Sequence, residues 1–453
     1  MQREIYAGSS PITPSACLEP APPLSPGLAG RTPALRRSFL WTFAGNVAYA
    51  GHQALILVVL ARLSTPQIVG RYTLALAITA PIVLLANLGL RVVQATDTSD
   101  EFRFGDYLAL RLIMAGAAFL VIAAVTLASG YSRESAKIVL AVGIAKFIES
   151  ISDIFFGLMQ KHERMKYIST SMMIKGPLTL LAMAGIVYWT ASLFAAVVGI
   201  CAVWLSLLLL YDMANVRRFL SHASQAMPHG WSTIGRLARR AFPLGVVSFL
   251  VSANWNVSRY FLERSHGEQA LGLFAVIAYF PAAATLVVDA LGQSVVPRLA
   301  KYYAESRPRY RSLVLRLIAL VATAGFSGAL ASAFFGAPVL RFLYGPVYAQ
   351  HVDVLVTMMI AGACMYVCSI FGVSLTAAGC LKPQVPIYAA VTAVTAIGSA
   401  VLVGPYGLKG AAWTVLAGNV VWVVAAGGVF IRAAWEDPRG EFPRQVVELA
   451  SRP

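Results

Sequence analysis

The stretch Leu60-Ala-Arg-Leu-Ser-Thr-Pro-Gln-Ile-Val-Gly-Arg-Tyr72 lies at the centre of a longer segment, 37–95, that decides the fold because it occurs twice. When this segment is moved forward without a gap, so that position 37 falls on position 239, it aligns with 239–297, a shift of 202 positions. Each copy has an apolar helix pattern, a turn that ends at a glycine (Gly70 or Gly272), and a second apolar helix with a proline (Pro81 or Pro281). This repeated order predicts a duplicated membrane helix bundle.

The composition is that of a membrane protein. Of the 453 residues, 58% are hydrophobic and only 12% are charged, whereas a soluble domain carries about 25% charged residues. Four segments contain no Asp, Glu, Lys or Arg: 317–340, 354–381, 383–408 and 410–431. Each is long enough to cross the ~30 Å hydrocarbon core as a helix. A transmembrane barrel is excluded, because its strands would alternate over roughly ten residues.

The apolar segments predict an all-α membrane protein with about twelve transmembrane helices. The predicted spans are 39–61, 71–95, 107–129, 138–160, 167–189, 192–213, 242–262, 271–296, 313–336, 354–379, 384–404 and 408–431. The charge-free run 176–211 would be about 54 Å long as one helix, so we divide it at Thr190-Ala-Ser192. Six spans in each half give both halves the same orientation. We therefore expect two six-helix bundles, a pseudo-twofold axis along the membrane normal and a shared cavity.

Lys and Arg cluster in alternate loops, so the net charge of +16 is a topology signal and predicts no nucleic-acid partner. The basic loops place both termini of this multi-pass membrane protein in the cytoplasm. The predicted organisation is a disordered Pro-rich cytoplasmic tail (1–35), a first bundle (36–213), a basic cytoplasmic linker (214–240), a second bundle (241–432) and a cytoplasmic tail (433–453).

Five charged side chains fall deep inside predicted spans: Lys146, Glu149, Asp153, Lys175 and Asp289. Each would cost about 2.5–3.5 kcal/mol at the centre of a lipid-facing helix. Lys146, Glu149 and Asp153 recur at i, i+3 and i+7, so they share one helix face and must meet water or partners. Two interpretations stay open. The Lys146–Glu149 pair is structural, or the lysines bind an anionic substrate while Glu149, Asp153 or Asp289 binds the coupling proton or cation.

Other polar residues in the spans are weaker candidates for substrate binding. His52 and Asn254 occupy equivalent positions of the two repeats, where a helix–helix hydrogen bond is the alternative. Four arginines lie near span ends, where a long side chain reaches the interface: Arg91, Arg111, Arg259 and Arg316. Of these, Arg259 is kept as a candidate substrate contact. The chain contains no P-loop and no His-Glu-x-x-His, and we predict no catalytic residue, metal site or cofactor.

Several short motifs resemble those of bacterial polysaccharide exporters, the Wzx-type lipid-linked oligosaccharide flippases of the multidrug/oligosaccharidyl-lipid/polysaccharide superfamily. The motifs are 60–72, Ala77–Ile82, Asn87–Arg91, Phe242–Gly245, Leu271–Phe274, Pro297–Ala300 and Gly407–Trp413. The resemblance covers about 37–432. It implies a V-shaped transporter with a cationic cavity, which moves undecaprenyl-diphosphate-linked sugar units to the outer leaflet by alternating access, coupled to a cation gradient.

The partners implied by the resemblance are the lipid-linked glycan, membrane lipids, and the polymerase or glycosyltransferases of the same pathway. Two other functions remain open. The chain is a small-molecule multidrug cation antiporter, or it is a membrane glycosyltransferase or polymerase. The last class usually needs a sizeable external loop with catalytic groups, and every predicted external loop is under about twenty residues.

Overall fold

The computed structural model of the protein describes residues 32–97, 100–220, 227–379 and 384–435, and every regular element within them is a helix. The predicted tails and the middle of the linker therefore lie largely outside the described residues. The helices are α1 (Thr32–Leu63), α2 (Pro66–Asn87), α3 (Leu90–Thr96), α4 (Phe104–Ala128), α5 (Arg133–Lys161), α6 (Met165–Thr190), α7 (Leu193–Leu207), α8 (Met213–Arg217), α9 (Trp231–Glu305), α10 (Arg307–Leu343), α11 (Pro346–Ala349), α12 (Val352–Ala377) and α13 (Gln384–Trp435).

Two of these helices are far longer than a membrane is thick, and each contains one glycine with non-helical geometry. Gly267 in the 75-residue α9 has φ 75° and ψ −177°, and Gly407 in the 52-residue α13 has φ 55° and ψ −126°. Glycine adopts these left-handed conformations without a Cβ clash. Each glycine lies between two predicted spans, 242–262 and 271–296 in α9 and 384–404 and 408–431 in α13.

Within the described residues, eight helices are long and apolar enough to cross a membrane. The all-α class is confirmed, while the number of membrane spans and the twofold relation stay predictions. The predicted break in the run 176–211 is correct, because α6 ends at Thr190 and α7 begins at Leu193. There the Ser192 hydroxyl accepts a hydrogen bond from the Ala195 N–H at 3.3 Å, which is a helix N-cap.

The two halves of the chain pack mainly through α2 and α9. Within the first half α1 packs on α6 and α2 on α5, and within the second half α12 packs on α10 and α13. Pro81 lacks the N–H that would bond the Ala77 carbonyl oxygen, and the Tyr260 hydroxyl of α9 donates to that oxygen instead. A hydrogen bond at the proline position of the first repeat thus links α2 to α9 of the second half.

The predicted external end of this α2–α9 contact is closed. A Cβ added at Gly70 would collide with the Glu268 carbonyl, so the two backbones touch there. Arg71 pairs with Glu268 (Nε–Oε2, 2.8 Å) and also with Glu134 of α5, and the Ser135 hydroxyl donates to Glu268. Backbone contact and ionic bonds together hold the two halves against each other on this side.

Candidate substrate cavity

A cavity of about 260 Å³, called the central cavity below, lies between the two halves of the chain. The first half contributes residues of α1, α2, α5 and α7, and the second half contributes α9. Its polar and aromatic lining consists of Tyr49, His52, Gln53, Tyr72, Thr73, Lys146, Trp204, Trp255, Arg259 and Tyr279. Both halves therefore present groups that hydrogen-bond, stack or carry charge to a common space.

A second cavity of about 490 Å³, called the ionic cavity, lies beside the first and shares Tyr49 and Lys146 with it. Its charged lining residues all come from the first half: Arg91, Lys146, Glu149, Asp153 and Lys175. The second half contributes Ser248 of α9. The three charges spaced i, i+3 and i+7 on α5 thus face this cavity and partner residues, as their spacing predicts.

Glu149 is the centre of one ionic group. Its Oε1 accepts a hydrogen bond from the Tyr49 hydroxyl at 2.6 Å, and its Oε2 accepts one from Lys146 Nζ at 2.7 Å. Lys175 Nζ of α6 lies 3.9 Å from Oε1. One carboxylate is thus shared by two ammonium groups and a phenol, brought together from α1, α5 and α6.

The indole ring of Trp204 on α7 faces the ammonium groups of these lysines. Lys175 Nζ is 3.9 Å from the ring centroid and Lys146 Nζ is 5.9 Å from it, so both are placed for cation–π attraction. The indole N–H donates to the Thr179 hydroxyl at 2.8 Å, which fixes the ring plane. Trp204 therefore positions Lys175, whose side chain is only 6% exposed.

Asp153 is the centre of a second ionic group, one helical turn from Glu149. It pairs with Arg111 (Nη2–Oδ2, 2.9 Å) and with Arg91 (Nη1–Oδ1, 3.5 Å). Arg111 also donates to the Asn87 amide oxygen, which accepts a hydrogen bond from the Ser150 hydroxyl at 3.0 Å.

The expectation that Arg111 reaches the membrane interface is wrong, because its side chain is 0% exposed and paired inside the protein. Arg91 also turns inward, toward Asp153 and the Gln160 side chain (Nε–Oε1, 3.0 Å). Both depart from the expectation for the same reason. A carboxylate on a neighbouring helix offers the guanidinium a charge partner that lipid does not.

Arg259 has no such partner. It lines the central cavity, and Nη1 hydrogen-bonds the amide oxygen of Asn256 at 3.2 Å. No carboxylate among the described side chains lies within 4.0 Å of it. Trp255, one helical turn earlier, is 46% exposed and lines the same cavity. Arg259 is therefore a cavity cation whose charge is available to a ligand.

The remaining sequence candidates divide between the halves. His52 is 4% exposed, lines the central cavity and packs edge-to-face on Tyr49 at 4.9 Å. Asn254, its repeat equivalent, lines neither cavity. Asp289 also lies outside both cavities, where its carboxylate accepts a hydrogen bond from the Ser369 hydroxyl at 2.6 Å. The structure thus groups His52, Lys146 and Arg259 around one space and leaves Asn254 and Asp289 elsewhere.

Two further polar groups, one of them buried, were not among the candidate site residues predicted from the sequence. Asp212 is 2% exposed and accepts a hydrogen bond from the Ser171 hydroxyl at 2.8 Å. Asn87 joins Arg111 to Ser150. Asp212 stands at the end of a predicted span, where an acidic residue looks like part of a loop, and the sequence held no signal of its burial.

The comparison with known families adds to this geometry. The profile of the family described as "Polysaccharide biosynthesis protein" matches residues 35–303, more than half of the chain. The chain belongs to this family. It is also 28% identical over 397 residues to the capsular polysaccharide biosynthesis protein CapF of Staphylococcus aureus, across 86% of this chain and 97% of that protein. The resemblance to polysaccharide exporters drawn from the motifs is confirmed.

Solved structures of transporters have the same fold as this chain. The lipid II flippase MurJ in its inward closed conformation superposes with a TM-score of 0.69 at 10% identity, covering 87% of this chain and 89% of that one. The Vibrio cholerae MATE transporter VcmN superposes with a TM-score of 0.58 at 16% identity, covering 90% and 97%. The protein is an all-α membrane protein with a transporter fold.

Proposed function

We propose that this protein is a flippase that carries lipid-linked glycan units, joined to undecaprenyl through a diphosphate, across the bacterial inner membrane by alternating access. The observation that carries the proposal is the unpaired guanidinium of Arg259 in a cavity between the two halves. A cation inside a membrane-spanning helix without a carboxylate partner is costly, and a diphosphate from the substrate would offset that cost.

The charge balance of the ionic cavity supports an anionic substrate. Lys146 and Lys175 share one carboxylate, Glu149. Arg91 and Arg111 likewise share Asp153. At their usual charges, the lining of the ionic cavity has three cations and two carboxylates, because Arg111 pairs with Asp153 without lining the cavity. Arg259 adds a positive charge to the neighbouring central cavity. Charge-assisted bonds from lysine and arginine are the ordinary means of holding phosphate oxygens.

The aromatic lining suits the sugar portion of the same substrate. Tyr72, Trp255 and Tyr279 line the central cavity beside Arg259. Aromatic rings offer large apolar faces and, in tyrosine and tryptophan, one polar edge. A sugar ring has the same mixture of C–H faces and hydroxyl edges. A cavity that combines cations with these rings therefore fits a glycan attached to a diphosphate.

The rest of the transport cycle is part of the proposal. The lipid stays in the bilayer while the polar head enters the cavity, and the α2–α9 contact opens to release it on the external side. Both termini lie in the cytoplasm, and the enzymes that build and polymerise the glycan supply and consume the cargo. Proton or cation coupling uses the carboxylates of the membrane spans, with Glu149 or Asp153 in the first half and Asp289 as the candidate in the second half.

The test is made in the source bacterium with the gene deleted. We expect lipid-linked glycan to accumulate on the cytoplasmic leaflet and surface polysaccharide to disappear. Lys146→Ala and Arg259→Ala should restore little export, whereas Lys409→Ala, at an exposed external ion pair with Asp353, should restore it fully. A Lys146→Ala or Arg259→Ala protein that inserts normally and supports full export would remove that residue from the substrate site.

A cation antiporter is the alternative, because multidrug MATE transporters share the fold. The excess of positive charge in the cavity argues against cationic drugs, which need carboxylates to bind. Loss of drug resistance on deletion, with normal surface polysaccharide, would favour the antiporter.

A further inference from the structure

Asp212 is a buried carboxylate that the transport scheme above does not use. It is 2% exposed and ends a π-helical turn, Leu208–Asp212, that joins α7 to α8. The Ser171 hydroxyl of α6 donates to its Oδ1 at 2.8 Å, and the Ser152 hydroxyl of α5 also hydrogen-bonds it. Within the part of the chain that is described, no Lys or Arg nitrogen lies within 4.0 Å of it.

This environment differs from that of the two half-buried acids beside the ionic cavity. Glu149 and Asp153 are each contacted by two cations, so their charges are compensated. The hydrogen-bond partners of Asp212 are two hydroxyls. Two hydroxyls do not offset the free-energy cost of removing a charged carboxylate from water. π-helical turns are frequent at functional sites. Here the turn directs the carboxylate into the space between α5 and α6.

Lys175 links this carboxylate to the substrate cavities. It lies one turn after Ser171 on α6, and its Nζ is 3.9 Å from Glu149 Oε1 and 3.9 Å from the centroid of the Trp204 ring. Among the charged groups on the helices packed around Asp212, Lys175 is the one whose charge favours the ionised carboxylate. Helix α5 contributes the Ser152 hydroxyl. Lys175 therefore contacts Glu149 on the cavity side and is also within electrostatic reach of Asp212.

We propose that Asp212 is a proton-binding site whose occupancy decides which carboxylate holds Lys175. With a proton on Asp212, the neutral acid leaves Lys175 to Glu149 and Trp204. When Asp212 gives that proton to water, its anion draws the Lys175 ammonium away from both. Glu149 then pairs with Lys146 alone. In that pair, the Lys146 ammonium is no longer available to bind the substrate. One proton is taken up and one is released in each cycle.

The inference rests on the proposed function for its role in transport, but the site itself is separate. It also names a proton rather than a metal cation. The oxygen groups around the site are one carboxylate and two hydroxyls, and the neighbouring Lys175 ammonium repels a second fixed cation. A proton needs no shell of ligands.

Trp204 reports the position of Lys175, so the proton site is tested by tryptophan fluorescence of the purified full-length protein without substrate. The chain has eight tryptophans, and subtracting the signal of Trp204→Phe isolates this one. We expect the Trp204 emission to change in a single step between mildly acidic and mildly basic pH. The step should be absent in Asp212→Asn and unchanged in Glu163→Gln, which removes an exposed acid of the α5–α6 turn.

Ser171→Ala gives a graded check. Its hydroxyl stabilises the charged carboxylate, so removing it should move the midpoint of the step upward by about one pH unit. If Asp212→Asn does not fold, infrared difference spectra of the wild type and Ser171→Ala take its place. A protonated carboxyl band that disappears as the pH rises, with its midpoint shifted by Ser171→Ala, is then the expected result.

A step that persists unchanged in folded Asp212→Asn, or no carboxyl band sensitive to Ser171→Ala, overturns the proposal. An emission change produced by Na⁺ at constant pH, with no pH step in its absence, also overturns it in favour of a metal-cation site. Failure of glycan transport with the pH step intact would remove the proposed function and leave the proton site standing.

Discussion

Gly70 lies directly against the carbonyl of Glu268, with no space for a Cβ, and this contact has a counterpart. Gly272 lies in the same way against the carbonyl of Pro66. Gly272 follows Gly70, and Glu268 follows Pro66, by the 202 positions of the sequence repeat. Reciprocal contacts between equivalent residues are what a twofold relation between the halves requires. The pair supports the predicted pseudo-twofold axis and marks where the halves separate if the external side opens.

The first prediction concerns this glycine pair. Gly70→Ala and Gly272→Ala should each push α2 from α9 and favour the externally open state, because a forced methyl group costs about 1–3 kcal/mol. That cost changes a population ratio roughly 5–150-fold. A cysteine at Thr73, which lines the central cavity, should then react faster with a membrane-impermeant thiol reagent added outside.

The labelling is done in a background without the five native cysteines. Gly116→Ala is the matched control, because a Cβ there meets open space. Equal labelling in all three glycine variants would mean that the contact does not hold the external side closed.

The second prediction concerns the ion pair between the buried Arg111 and the half-buried Asp153. Arg111→Met leaves Asp153 with only the longer contact from Arg91 and should lower the free energy of unfolding by about 3 kcal/mol. Adding Asp153→Asn should restore part of the loss. Thermal unfolding in detergent measures both, with the exposed Arg316→Met as a control near zero. Additive losses in the double variant would show that the pair is not coupled.

The third prediction concerns pH and a loop outside the spans. Burial opposes the charge of Asp97, but hydrogen bonds from the backbone N–H groups of Phe102 and Glu101, together with Lys161, outweigh it and lower its pKa below the usual value. The resulting stabilisation is present above about pH 4, the ordinary value for Asp, and is lost as the pH falls through the lowered pKa.

Asp97→Asn should therefore melt below the wild type at neutral pH, and the gap should close in acid. Glu163→Gln, which removes an exposed acid of the α5–α6 turn, should track the wild type throughout. A gap between Asp97→Asn and the wild type that stays constant with pH would assign the effect to packing and not to charge.

The sequence was informative where local patterns decide the structure. Charge-free lengths predicted the helical class and the break at Thr190-Ala-Ser192, and the i, i+3, i+7 spacing predicted that Lys146, Glu149 and Asp153 share a face. Each of these depends only on residues close together in the chain. The same kind of argument could not choose the partner of each charge.

Partner choice depended on how the helices pack. Arg111 and Asp153 are 42 positions apart, and nothing in either local sequence signals their pairing. The repeat also suggested that Asn254 shares the position of its equivalent His52. His52 lines the central cavity, but Asn254 lines neither cavity. Neighbouring helix residues point about 100° apart, so a small rotation of α9 presents Trp255 and Arg259 to the cavity instead.

Arg259 is the cation that meets the substrate diphosphate in the proposed mechanism, and its role is open to a direct test. The direct measurement is translocation of a fluorescent prenyl-diphosphate glycan by purified protein in liposomes, with a glycan-binding lectin or hydrolase added outside. The wild type should expose labelled glycan well above empty liposomes. Arg259→Ala should fall to background, Arg259→Lys should retain part of the rate, and the exposed Arg316→Ala should match the wild type. Wild-type protein that is folded and inserted but moves no glycan, or Arg259→Ala at the wild-type rate, would contradict it.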